Sequence, residues 1–136
     1  MKRILCIDDD QDILDTLNII LTTEGFSVRV STSPASIFQS IQEFTPDLIL
    51  MDINMPNFNG LEICKALKAY ISTENTPVII VSSDESIDTA IDHFKANDII
   101  KKPFSIDQIV EKVKLYLDPK VISLFPDKSD LQGTNS

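Results

Sequence analysis

The chain has 136 residues, 43% hydrophobic and 24% charged, which is the size and make-up of one globular domain and not of a disordered or fibrous chain. Its 12 Lys and Arg against 21 Asp and Glu give a net charge of -9, which repels a phosphate backbone, so direct nucleic-acid binding is not expected. The basic start Met1-Lys2-Arg3 is followed by too short an apolar run for a signal peptide, and no run is long enough to cross a bilayer; the expected location is the cytoplasm, with no membrane partner.

Arg3 to Ile7 reads as a short apolar strand that runs into Asp8-Asp9-Asp10. Ile13, Leu14, Leu17, Ile20 and Leu21 share one face of a helix, with Asp10 as its cap and Gly25 as its terminator. Phe26 to Val30 alternates apolar and polar residues, the pattern of an exposed or edge strand. Ser33 as cap and Pro34 at the first helical position open a second helix through Ile37, Phe38 and Ile41. Leu48 to Met51 is an unbroken apolar run ending on Asp52, the pattern of a strand buried on both faces, although periodicity alone does not separate it from buried helix.

A loop carrying Asn54, Pro56, Asn57, Asn59 and Gly60 leads to a third helix, capped by Asn59, with Leu61, Cys64, Leu67, Lys68 and Ile71 along it. Pro77 introduces the buried strand Val78 to Val81, which ends on Ser82-Ser83-Asp84. Ser86 to Phe94 is a shorter, more polar helix with a thin stripe of Ile87, Ile91 and Phe94. Asp98 to Ile100 is the weakest strand signal and runs into Lys101-Lys102-Pro103-Phe104; Ser105 then caps a last helix bearing Ile106, Ile109, Val110, Val113 and Leu117. The domain spans residues 1–118. Residues 119–136 read as a polar tail or the start of a linker, or else Val121, Ile122, Leu124 and Phe125 dock on a neighbour. Cys6 and Cys64 have neither metal-ligand spacing nor a disulfide-rich context and read as small, reduced core residues.

Alternation of strand and helix predicts a doubly wound, five-stranded parallel sheet with helices on both faces and right-handed crossovers. Asp8 and Asp9 follow the first strand, Asp52 the third, Ser82 the fourth and Lys102 the fifth, all at the sheet edge where ligands bind in such folds. Taken singly, each has an ordinary reading: a strand-end Asp begins a turn, acids cap the next helix, a Ser sits in a turn, a Lys is solvated. Taken together, and with strand order 2-1-3-4-5, the carboxylates of the first and third strands face one another and repel unless a cation binds. Oxygen-only ligands select Mg²⁺, with Mn²⁺ as a substitute: Asp9 and Asp52 directly, the Asn54 backbone carbonyl, and Asp8 through water. Asp52 is then a nucleophile toward phosphorus, with Lys102 supplying positive charge and Ser82 a hydroxyl donor.

This combination, with Pro56 and Gly60 four and eight residues after Asp52 and with Lys102-Pro103-Phe104, resembles the receiver domain of two-component response regulators over about residues 3 to 117. The resemblance implies a flavodoxin-like receiver fold, Asp52 as phosphoacceptor, Asp8 and Asp9 as metal-binding acids, Ser82 as the switch hydroxyl, Lys102 as the phosphate contact and a cis bond before Pro103. It implies a sensor histidine kinase or histidine phosphotransfer protein as donor and a downstream protein or fused output domain as target. A homodimer through the face of the fourth helix, last strand and last helix is a further option, and no enzymatic activity is expected beyond self-phosphorylation and dephosphorylation. Asn54 and Asp84 occupy the positions that tune phosphoryl lifetime in the family, and this polar pair implies a short one. Two residues depart from the family pattern: Ile99 stands where an aromatic switch residue is common, and Lys95 where Gly is common.

Rival readings lose on particular residues. An Asp-nucleophile phosphohydrolase needs a second Asp two residues on as general acid, where this chain has Asn54. In a flavin-binding module Asp8 to Asp10 would repel the phosphate. A phosphorylation-independent pseudo-receiver sits poorly with intact Asp52, Ser82 and Lys102. His93, the single histidine, reads as a surface residue.

Overall fold

The computed structural model describes residues 1–118; the tail expected over 119–136 lies outside them. Strands β1 (Arg3–Ile7), β2 (Ser27–Ser31), β3 (Leu48–Met51), β6 (Val78–Ser82) and β7 (Asp98–Lys101) form one parallel sheet in the order β2-β1-β3-β6-β7. Counting only its own strands, this is the expected 2-1-3-4-5. A second, unforeseen sheet is the hairpin of β4 (Asn54–Met55) and β5 (Phe58–Asn59), folded from the loop after Asp52. The helices are α1 (Gln11–Thr23), α2 (Ile37–Phe44), α3 (Gly60–Ala69), α4 (Ala90–Phe94) and α5 (Ile106–Leu117), with a 3₁₀ helix at Glu85–Thr89. Among the described residues no helix is long and apolar enough to cross a membrane.

The two-residue period of the strands divides the core in two. Leu5, Ile7, Ile49, Met51, Val78 and Ile80 pack against Ile37 of α2, Leu61, Cys64 and Leu67 of α3 and Ala90 of α4. Their neighbours in sequence, Ile4, Cys6, Leu48, Leu50, Ile79 and Val81, meet Leu14, Leu17 and Leu21 of α1 and Ile109 and Val113 of α5 on the other side. Burying both faces is what an unbroken apolar run such as Leu48 to Met51 requires, and each such side chain contributes about 1.5–3 kcal/mol. Both thiols are buried in these cores, and burial pushes Cys6 up to about 12 and Cys64 to about 11, so they act as packing groups.

Helix ends follow their residues. Asp10 accepts from the backbone of Asp12 and Ile13, Asn59 from Leu61 and Glu62, and Ser105 forms a reciprocal capping box with Gln108. Gly25, past the end of α1, takes φ +93, the left-handed region where glycine costs least. β2 lies at the sheet edge, as expected, but is half-buried along its whole length where its alternating pattern would give one covered and one open face.

Three boundaries differ from expectation. α2 begins at Ile37, because Ser33 Oγ accepts from Ala35 and Ile37 N–H closes on Pro34 C=O, so Ser33-Pro34 form a turn ahead of the helix. α3 ends at Ala69 with Tyr70 extended, which leaves Ile71 88% exposed and off the helical stripe. Past that end the Thr73 hydroxyl donates to the Leu67 carbonyl at 2.5 Å, and Lys68 Nζ donates to the carbonyls of Glu74 and Thr76 at 3.3 and 2.7 Å. Lys68 thus earns its place on an apolar stripe by closing the following loop with its head group. Ser86 to Phe94 is split into the 3₁₀ turn and α4 rather than one helix, and Thr89 at the junction donates its hydroxyl to Ser86 C=O.

Lys95 caps α4 at φ 66, a left-handed conformation that costs an L-residue about 1–2 kcal/mol and a glycine much less. That is the physical content of a glycine preference at this position. Lys95→Gly is expected to raise stability by about 1 kcal/mol, measured as a higher urea midpoint at unchanged slope.

Candidate functional site

Parallel register places the reactive groups. Ile7 of β1 pairs with Met51 of β3, and Asp52 N–H donates to Ile7 C=O at 3.0 Å, so Asp8 and Asp52 emerge side by side. On the far side Ser82 of β6 pairs with Lys101 of β7, and Lys102 N–H donates to Ser82 C=O at 3.0 Å. Lys102 Nζ then reaches back across the edge and donates to Asp8 Oδ2 at 2.7 Å and Asp52 Oδ2 at 3.0 Å. The peptide bond between Lys102 and Pro103 is cis, as the resemblance implied.

Asp8 and Asp52 are 2% and 8% exposed, whereas Asp9 is open to solvent. One carboxylate oxygen from each of the three lies within 4.8 Å of the others. Backbone donors hold the remaining oxygens: Asp8 Oδ1 accepts from Asp10 N–H at 2.9 Å and Asp52 Oδ1 from Ile53 N–H at 2.6 Å. Burial raises the Asp8 carboxyl above the ordinary carboxylate range, against the pull of Lys102. Burial alone would lower Lys102, but its hydrogen bonds and ion pairs with Asp8 and Asp52 outweigh it and hold the ammonium above the usual lysine value. Three converging carboxylates against one lysine leave excess negative charge, and the donors are all hard oxygens, so the residues fit a small divalent cation.

Ser82 is buried at the end of β6, but its hydroxyl oxygen accepts from Asp84 N–H at 3.1 Å within its own loop. Asp84 in turn accepts from Asn54 Nδ2 at 2.5 Å and from both the backbone and hydroxyl of Ser86 at 2.8 and 2.6 Å. These bonds, from the Ser86 hydroxyl first and then Asn54, hold its carboxyl down at about 2. Asn54 and Asp84 are therefore bonded to each other across the rim, 30 residues apart in sequence, which local pattern gives no means to foresee. A cavity of about 170 Å³ opens beside this loop, lined by Ser82, Asp84, Asp88, Lys101 and Lys102 among others. Ile99 is half-buried against the core, and His93 is exposed on α4.

Gly60 is fixed by space. A Cβ there would lie 1.8 Å from the Asp52 carbonyl oxygen, and Gly60 N–H donates to Ile53 C=O at 2.7 Å, so the start of α3 rests directly on the backbone that carries Asp52.

In this parallel sheet, acids that follow the first and third strands meet a lysine that follows the last, at the edge where such folds bind ligands. A family model, the response regulator receiver domain, matches residues 4–114. The DNA-binding response regulator MtrA of Mycobacterium tuberculosis is 30% identical over 118 residues, covering 85% of this chain and 50% of its own length. A CheY-like receiver domain protein from Methanospirillum hungatei superposes with a TM-score of 0.77 at 30% identity, covering 88% of this chain and 96% of that one. The beryllofluoride-activated NtrC4 receiver domain dimer matches with a TM-score of 0.78 at 27% identity, covering 88% of this chain and 98% of that one. The chain belongs to the response regulator receiver family of two-component systems. It spans about half the length of the curated relatives it matches, and those named as DNA-binding lend no support to the expectation that nucleic acid is not a partner.

Gly60→Ala is expected to destabilise the fold by about 2–3 kcal/mol, since the neighbour that must yield is backbone and not a flexible side chain. A lowered urea midpoint measures it.

Proposed function

We propose that the chain is a phosphorylation switch: Asp52 accepts a phosphoryl group from the phosphohistidine of a sensor kinase or histidine phosphotransfer protein. An Asp52 carboxylate oxygen forms the new bond to phosphorus, the P–N bond to the donor histidine breaks, and the departing ring nitrogen keeps the electron pair. Asp9, Asp52 and the carbonyl of Asn54 would hold Mg²⁺ or Mn²⁺, with Asp8 acting through water, and the ion supplies charge neutralisation at the phosphoryl oxygens. Lys102 Nζ, already at the Asp52 carboxylate, stays as the second positive group once that carboxylate has become an acyl phosphate.

Ser82 is suited to sensing the product. Its oxygen accepts from Asp84 N–H, which leaves the hydroxyl proton for an acceptor such as a phosphoryl oxygen. Turning that hydroxyl inward withdraws the acceptor that holds Asp84, at the head of the short 3₁₀ turn and the equally short α4. Output then proceeds by displacement of residues 85–94 and of the face they form with β7 and α5, and not by rotation of a ring at position 99. Ile91 and Ile106 are exposed on α4 and α5 and suit that face to a protein partner or a second copy of the chain. The beryllofluoride-activated NtrC4 receiver is a dimer, which favours the second copy. A downstream protein or a fused output domain reads the change, in the cytoplasm, with no catalysis beyond the chain's own phosphorylation and dephosphorylation.

The observation that carries this reading is Lys102 bridging Asp8 and Asp52 from just past the end of β7, on the opposite side of the site. Against a phosphohydrolase stands Asn54, an amide whose Nδ2 is already given to Asp84 and which has no acidic proton. A pseudo-receiver would have no use for a buried acid pair held by a lysine, because such a pair costs desolvation energy and contributes little net stability.

Incubation with acetyl phosphate and Mg²⁺ is expected to add one phosphoryl group to the wild type by intact mass, none to Asp52→Asn and none in a chelator. An unmodified wild type overturns the reading. With the polar pair Asn54 and Asp84 at the rim, the phosphoryl group is expected to decay over minutes in Mg²⁺ buffer, followed by the same mass measurement; persistence for many hours excludes the fast decay.

A further inference from the structure

We propose that Asp84 is a positioning residue that ties the metal-binding loop to the output segment, so that divalent metal alone orders residues 85–89 before any phosphoryl transfer. The proposal rests on the phosphoacceptor reading and adds a coupling between two of its parts. Asp84 sends its groups in three directions. Oδ2 accepts from Asn54 Nδ2 at 2.5 Å, Oδ1 takes the backbone and hydroxyl of Ser86 at 2.8 and 2.6 Å, and its own N–H donates to Ser82 Oγ at 3.1 Å. Its carbonyl closes the first turn of the 3₁₀ helix by accepting from Ile87 N–H at 3.1 Å. No other residue joins the loop after β3 to the loop after β6 by a hydrogen bond among those of the described residues.

Asn54 is exposed, and holding its side chain against Asp84 costs rotamer and backbone freedom. A cation on its carbonyl fixes that backbone first, so the side-chain bond then forms at lower cost and Asp84 is held more firmly over Ser86. Whatever the metal gains for the 3₁₀ turn, an intact turn must return to metal affinity by the same factor. One exposed, charge-assisted hydrogen bond limits the effect to about twofold to fivefold.

The test is amide exchange of the full chain with and without saturating Mg²⁺, alongside calorimetric Mg²⁺ affinity. In the wild type, Mg²⁺ is expected to slow exchange at residues 85–89 by about twofold to fivefold. In Asp84→Ala that slowing should vanish and Mg²⁺ affinity should fall by the same factor. Asp84→Asn has one acceptor oxygen, enough for the Ser86 bonds, and an NH₂ in place of the oxygen that accepts from Asn54 Nδ2, so it should lose the Mg²⁺-dependent slowing while exchange at 85–89 without Mg²⁺ stays as in the wild type, a separation that a loss of structure elsewhere would not reproduce. The double variant Asn54→Ala/Asp84→Ala should bind Mg²⁺ no more weakly than the more affected single one. Additive losses overturn the proposal, as does an Asp84→Ala chain with wild-type affinity and undiminished slowing. Mg²⁺ binding to the wild type with no change at 85–89 overturns this coupling and leaves the phosphoacceptor reading standing, whereas failure to bind Mg²⁺ removes both.

Discussion

The ammonium of Lys102 lies between the carboxylates of Asp8 and Asp52, and the edge of the sheet depends on that contact. Two nearly buried acids on adjacent strands would repel strongly in a medium of low dielectric, and folding would have to protonate one or expel both to water. The lysine offsets that repulsion within the site, at the cost of its own desolvation. A buried triad of this kind is poor value as a source of stability. What it does is gather carboxylate oxygens and a counter-charge in one place. One lysine against three acids also leaves negative charge over, which is the condition for admitting a divalent cation.

Around that contact the molecule divides into a firm part and a loose one. β1 and β3 are buried on both faces, α1 and α3 begin with side-chain caps, and Gly60 presses α3 onto the Asp52 backbone. These features hold the acids in place. Ser82 hangs at the other margin, on a loop that continues into two short helical pieces joined at Thr89 and closed by a strained Lys95. Few apolar contacts hold that segment, with Ile87 and Ala90 its buried residues. A segment so anchored gives way under a force of one or two hydrogen bonds, while the floor of the site does not.

Membership of the response regulator receiver family fits this division. The family's parts are present in the chain, and Ile99 in place of an aromatic removes one way of reporting their state. Between Ser82 and α4 the structure shows a backbone connection in which Asp84 is the residue bonded to both sides of the rim.

The order of strands and helices, the two-faced burial of Leu48 to Met51, and the caps Asp10, Asn59 and Ser105 were decided by local sequence, because apolar period and capping chemistry act within a few residues. So was the sorting of Asp8, Asp52, Ser82 and Lys102 to strand ends. The start of α2, the end of α3 and the break in the helix after Asp84 were decided by side-chain bonds from Ser33, Thr73, Lys68 and Thr89 that compete with helix propensity and do not show in a hydrophobic pattern. Only the tertiary structure could bring Lys102 to Asp8 across 94 residues and Asn54 to Asp84 across 30. Such contacts are set by strand register and by the twist of the sheet, and no property of the residues between them encodes the distance at which they finally meet.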